Sequence, residues 1–264
     1  METFDEIRLA ETSSFVKSAA VAAGLNYISG REKKYPWEIL GLDEPPEIRT
    51  SYTIGIDSVD VMLGAIKECA YPLIKIKLGF EGEADLIRKL GDFPDRMFRV
   101  DANGAWSPGK AEEMMYYLDR DNVEIVEQPT SLEYIKEWKY LKGRSKFHLM
   151  LDEGLGNLDD YFRYADYING VNIKMAKSGG IFDAVRLARQ ARKDKLKVML
   201  GCMVESSIGI APSVYISSLA DYFDLDGPLL LEKDLSDDII YVGNAISVSD
   251  EIIGGPVIKK EFLP

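Results

Sequence analysis

An α/β barrel of the TIM type is the fold this chain predicts. Three observations lead there: eight short apolar runs rich in β-branched residues, amphipathic helical segments between them, and a length of 264 residues that suits one such barrel.

Taken in order, residues 14–40 read as a helix and a short turn, with YPWEILGL packing as a cap ahead of the first strand and DEPPEIR as a linker. The strands are expected at residues 52–56 (YTIGI), 73–78 (LIKIKL), 97–100 (MFRV), 123–126 (VEIV), 147–151 (FHLML), 170–173 (GVNI), 197–200 (KVML) and 222–225 (YFDL), each closed by polar or glycine-containing segments. Between them, stretches such as residues 109–120 and 181–192 place apolar residues three and four apart, the spacing of a helix with one buried face. Strict alternation with short connections implies parallel strands joined by right-handed crossovers, and eight units favour closure over an open sheet. A doubly wound sheet would call for a glycine-rich phosphate loop after the first strand, and YTIGIDS has no GxGxxG. After the eighth strand, residues 239–263 hold β-like runs (IIYV, AISV) too short and turn-rich for further barrel units. The domains expected are therefore residues 1–49 as a helix and linker, 50–235 as the barrel, and 236–264 as a segment returning to the N-terminal part.

Composition narrows the partners. The formal charge of −12 argues against nucleic acid, which needs a basic face to neutralise phosphates. Cys69 and Cys202 stand far apart and form neither a disulfide framework nor a zinc pattern. The start has acidic residues where a signal peptide needs a basic region, and no run approaches the ~18 apolar residues of a membrane span, so a cytoplasmic protein with no membrane partner is expected.

Charged residues fall where an α/β barrel carries its chemistry, at the carboxyl ends of the strands. Lys75 and Lys77 close the second strand, Asp101 the third, Glu127 the fourth, Asp152 the fifth, Lys174 the sixth, and Asp224 and Asp226 the eighth. From Lys77 to Lys174 they recur every 22 to 26 residues, once per strand-helix unit. One Asp after a strand is most simply a helix cap, but three carboxylates on consecutive strands repel one another unless a cation neutralises them. With oxygen donors throughout, Mg2+ suits them and zinc does not. His148, the single histidine, lies at the opposite end of its strand and reads as structural. Lys77 and Lys174, on the second and sixth of eight strands, are expected to face each other. One would then take a proton from a carbon and the other return it on the opposite side, which is epimerisation.

KIK at 75–77, DANGAW at 101–106, EQP at 127–129, DEG at 152–154, NIKMAKSGG at 172–180 and GCMVES at 201–206 together make the chain resemble the muconate-lactonizing subgroup of the enolase superfamily. That resemblance implies Lys77 and Lys174 as acid/base residues, Asp101, Glu127 and Asp152 as Mg2+ ligands, Lys75 as a substrate-binding residue that supports the substrate's carboxylate, and Glu153 behind the ligands. Asp224 and Asp226 in FDLDGP look like the pair with which dipeptide epimerases hold the substrate's α-ammonium; Thr53 and Cys202 fall at substrate-contacting positions. A dipeptide is thus the expected small-molecule partner, in a chain that could form a homo-oligomer. An o-succinylbenzoate synthase or muconate cycloisomerase would use the same lysines and metal, and an inactive barrel is the remaining alternative. Members of the superfamily also begin with capping β-strands. Residues 14–40 resemble only the helix that follows these strands, so the capping region is expected to be truncated.

Overall fold

The computed structural model describes residues 13–143 and 145–263. Expectations for the first twelve residues lie outside that range. The eight expected strands are present as parallel strands that follow one another in chain order, each leading into a helical segment, the order of an α/β barrel. By internal contacts the chain forms two compact units. One comprises Ser51–Leu155 and Asp159–Asn172; the other comprises the described residues of Met1–Thr50, Gly156–Leu158 and Ile173–Pro264.

The first unit holds six parallel strands: β2 (Tyr52–Ile54), β3 (Leu73–Lys77), β4 (Met97–Asp101), β5 (Val123–Glu127), β6 (His148–Leu151) and the start of β7 (Gly170–Lys174). β-branched and aromatic side chains populate the face opposite the strand-end charges: Ile74 and Ile76 on β3, and Phe98 and Val100 on β4, are all fully buried. Helices cover them with apolar stripes. Helix α3 (Val59–Glu68) contributes Met62 and Ile66, α4 (Glu83–Lys89) Leu86 and Ile87, α5 (Pro108–Leu118) Ala111, Met114, Met115 and Leu118, α6 (Trp138–Leu141) Trp138, and α7 (Leu158–Tyr164) Tyr161. Fully burying one such side chain contributes about 1.5 to 3 kcal/mol. Helix α5 starts where Ser107 caps the backbone N–H of Lys110 and Pro108 fixes the first turn.

The terminal unit begins with α1 (Ser14–Glu32), capped by Ser13, and α2 (Pro36–Ile39), matching the expected helix and turn. Helix α1 comes so close to the chain at Gly180 that a Cβ there would lie 3.3 Å from the Ser18 Cα, and Gly180 also has a φ of +115°. After β7 come α8 (Met175–Ser178), the amphipathic α9 (Ile181–Lys193), β8 (Lys197–Gly201), α10 (Ser207–Tyr215) and β9 (Tyr222–Asp224), with β8 and β9 paired in parallel. The segment expected to be a linker departs from expectation. Its last residues, Ile48 and Arg49, form a strand, β1, which pairs antiparallel with β11 (Ala245–Val248), itself paired with β10 (Ile239–Val242). Ile48 is fully buried, so burial of one side chain and pairing with a distant hairpin override the turn signal of the preceding prolines. Among the described residues, no helix is long and apolar enough to cross a membrane.

Glu83 fixes the loops that follow β3 and β4. Its buried carboxylate accepts hydrogen bonds from the backbone N–H groups of Gly79 and Phe80 and from Trp106 Nε1 (3.0 Å), and it pairs with Lys110. Glu83→Ala leaves the buried Trp106 Nε1–H unpartnered and releases the two loop N–H groups, and a loss of about 2 kcal/mol is expected in urea unfolding.

Candidate active site

Strand register sets the site. Parallel pairing places Lys77 opposite Asp101 and Asp101 opposite Glu127, so these three side chains leave the same face of neighbouring strands at one level. One level down, Thr53 stands opposite Lys75 and Lys75 opposite Arg99. The alignment of Asp101 with Glu127 depends on an irregularity. Phe98 pairs with Val123 but Arg99 pairs with Ile125, so Glu124 is an extra residue on β5. An unshifted register would set Val126 opposite Asp101 and turn the Glu127 carboxylate to the other face. Arg99 takes up the extra residue by donating from Nε to Glu124 Oε1 at 2.7 Å.

The carboxylates are buried and matched by cations. Lys75 Nζ lies 3.0 Å from Asp101 Oδ2 and 2.8 Å from Glu127 Oε2, and Lys77 Nζ lies 2.7 Å from the same Asp101 oxygen. Burial alone pushes the Asp101 carboxyl up, but the two ammonium groups outweigh it and hold the carboxyl well below the usual carboxylate range. The lysines differ in access. The Lys75 side chain is 3% exposed, whereas that of Lys77 is 29% exposed.

Three residues that the sequence did not single out complete this cluster. Asn103, at φ +47°, accepts from Lys77 Nζ at 3.0 Å, donates its side-chain amide to Glu153 Oε1 at 2.9 Å, and donates its backbone N–H to Asp101 Oδ1. Asn172, buried in β7, donates to Glu127 Oε1 at 2.7 Å and leaves its own Oδ1 without a hydrogen-bond partner among the described residues. Gln128 accepts from the backbone N–H groups of Asp152 and Glu153. Asn172 was detectable as a polar residue in an otherwise apolar strand; Asn103 and Gln128 read only as turn residues.

Among the described residues, no three His, Cys, Asp or Glu side chains are gathered into a ready metal cage. The donors nevertheless fit a hard cation in kind: Asp101, Glu127 and Asp152 are all buried, all oxygen donors, and carried at or just past the ends of β4, β5 and β6. A cation, that of Lys75, already bridges two of them, and the unpartnered Asn172 Oδ1 beside Glu127 is a further oxygen.

The terminal unit carries the other expected residues. Lys174 is the last residue of β7 and is buried, two residues beyond Asn172. Cys202 follows β8 and donates its N–H to the Asp224 carbonyl at 3.1 Å. Burial pushes the Cys202 thiol well up, and the nearby Asp224 and Asp226 carboxylates push it further, so the structure brings these three together. The loop between the two aspartates is clamped. Leu225 donates its N–H to Thr50 Oγ1 at 2.8 Å and accepts at its carbonyl from the Tyr241 hydroxyl at 2.7 Å. Gly227 is required next, because a Cβ there would meet the Glu205 carbonyl oxygen at 2.7 Å.

The enolase C-terminal domain-like family model matches residues 59–250. An L-Ala-D/L-amino acid epimerase of a Maribacter species is 34% identical over 83% of this chain and 65% of its own length, and the L-Ala-D/L-Glu epimerase of Bacteroides thetaiotaomicron is 30% identical over 93% of this chain and 68% of its own. The chain thus spans about two thirds of the length of these relatives. Among solved structures, the dipeptide epimerase of Cytophaga hutchinsonii complexed with Mg and D-Ala-L-Val has a TM-score of 0.87 and 26% identity, over 96% of this chain and 73% of that one.

Two outcomes check the geometry. Lys75→Met leaves two buried carboxylates without their shared cation and is expected to cost about 3 to 5 kcal/mol in urea unfolding without Mg2+, with part of the loss recovered when Mg2+ is added. Asp224→Asn with Asp226→Asn removes the negative charge that adds to burial in keeping Cys202 protonated, so alkylation of Cys202 at neutral pH, followed by peptide mapping, is expected to speed up modestly.

Proposed function

The chain belongs to the enolase C-terminal domain-like family, and from that premise we propose that it is a dipeptide epimerase, with Lys77 and Lys174 as its two acid/base groups and Asp101, Glu127 and Asp152 as ligands of Mg2+. The observation that carries this reading is the buried row of Lys75, Asp101 and Glu127, capped by a second, reachable lysine at the same level as the carboxylates.

Each residue has a distinct task in this reaction. Lys75, enclosed between two carboxylates, balances charge and does not exchange protons with substrate. Lys77, partly exposed and steered by Asp101 and Asn103, takes or returns the α-proton on one side of the C-terminal residue's α-carbon. Lys174 does the same on the other side. A bound Mg2+ would supply positive charge to the substrate carboxylate as the neighbouring carbon loses its proton. Asp224 and Asp226, on a loop clamped by Thr50 and Tyr241, accept hydrogen bonds from the substrate's α-ammonium. Thr53 and Cys202 contact the rest of the dipeptide. An o-succinylbenzoate synthase or muconate cycloisomerase has a substrate without an amine and no use for that carboxylate pair.

The test is solvent isotope uptake. In D2O with Mg2+, a panel of dipeptides that includes L-Ala-L-Glu is expected to gain one deuterium at the α-carbon of the C-terminal residue. Lys77→Ala and Lys174→Ala should each slow epimerisation by about a thousandfold, while one-sided exchange persists. If no dipeptide exchanges, the epimerase reading falls; if both variants epimerise normally, the two-base assignment falls.

A further inference from the structure

Gln128 stands where Glu127 ends β5, and every polar group it owns is engaged. Its backbone N–H donates to the Met150 carbonyl at 3.0 Å, and its carbonyl accepts from the Gly104 N–H at 2.7 Å. Its side-chain Oε1 accepts from the N–H groups of Asp152 at 3.1 Å and Glu153 at 3.2 Å, and its Nε2 donates to the Thr130 carbonyl at 3.1 Å. The orientation of the amide follows from these partners, because the reverse would aim an NH2 group at two N–H donors. The side chain is buried, and both acceptor positions of Oε1 are taken up within the protein.

We propose that Gln128 is a positioning residue that sets the separation of Asp101, Glu127 and Asp152 by tying together the loops that follow β4, β5 and β6. The proposal rests on the metal-binding reading above.

Three physical points support it. Asp152 lies just beyond the end of β6 at Leu151, where the strand ladder stops holding the backbone; the Gln128 amide takes over that hold. Gly104 lies three residues past Asp101, in the loop whose Asn103 braces that carboxylate, so one backbone carbonyl of Gln128 reaches the next loop in the other direction. Finally, Gln128 has a φ of +40°, left-handed backbone that is unfavourable for a non-glycine residue. Glycine would relieve that cost but would surrender the amide. The strain therefore persists where the side chain is used, as expected of a residue that orients a binding group.

The experiment uses the full chain, its Gln128→Asn variant, which tolerates left-handed backbone but is one methylene too short, and Gln128→Glu, which keeps an acceptor oxygen facing Asp152 and Glu153. Two quantities are read: hydrogen exchange of the Asp152 and Glu153 amides without metal, and the Mg2+ Kd by calorimetry well below each Tm. In Gln128→Asn both amides should exchange at least about tenfold faster and the Kd rise about 10- to 100-fold, while Gln128→Glu stays within about threefold of the parent Kd. An unchanged Kd in folded Gln128→Asn, even with a lowered Tm, overturns the proposal and leaves the metal site intact. If the parent chain binds no Mg2+, the metal reading falls and the proposal with it, a result visible before any variant is compared. Should Gln128→Asn not fold, Gln128→Met, of similar length but without the acceptor, carries the same expectation and the same overturning result.

Discussion

The ammonium of Lys75 between Asp101 and Glu127 is the interaction on which the site depends. Two carboxylates brought out of water on adjacent strands would each cost several kcal/mol and would repel each other besides. One buried cation within 3.0 Å of both removes most of that cost and allows the strands to bring the two acids side by side. Such a triad adds little net stability, since desolvation offsets most of the attraction. What it provides is a fixed, low-dielectric array of charge that an apolar core could not supply.

The scaffold is organised to keep that array in place. The extra residue Glu124 rotates β5 so that Glu127 meets Asp101, and Arg99 absorbs the resulting irregularity. Beyond the strand ends the ladders give out, and single polar side chains take over: Glu83 for the loops after β3 and β4, Asn103 between Lys77, Asp101 and Glu153, and Gln128 for the start of the loop after β6. In the terminal unit Thr50 and Tyr241 do the same for the loop that carries Asp224 and Asp226. The candidate reactive groups therefore sit on regular strands or on loops fixed by buried hydrogen bonds, which limits how far they can drift.

Which of these features could be read from sequence follows from how local their causes are. The eight strands were legible because runs such as LIKIKL and KVML bury β-branched side chains wherever they lie, and observed ends differ from expected ones by no more than two residues, as at β2, which stops at Ile54 before Gly55. Strand-end charges were legible through their recurrence once per unit. Strand β1 was not, because Ile48 and Arg49 follow two prolines and acquire their partners, Ile246 and Ala245, from almost two hundred residues downstream. Nor was the role of Gln128: in EQP it reads as the turn after a strand, and the donors it serves lie on another strand's loop, 24 and 25 residues away. The clamp on Leu225 shares this cause, since Thr50 and Tyr241 belong to elements that only tertiary pairing brings to β9.

Charge also bears on which molecule such a site selects. Asp224 and Asp226 are both buried, and their field is strong enough to help keep the Cys202 thiol protonated. A substrate bearing an ammonium group would answer that field with charge-assisted hydrogen bonds. A dicarboxylate would meet it with like charge, and sites built to bond a polar group commonly reject analogues lacking it by about 10,000-fold or more. In the proposed reaction, Lys77 of β3 serves a carboxylate whose α-proton can be moved. A dipeptide carries an ammonium at one end and that carboxylate at the other. Under the proposed function, the two charge patterns, one on β3 to β5 and one after β9, each suit one end of such a substrate, although they arise from different stretches of sequence and each is held within its own unit.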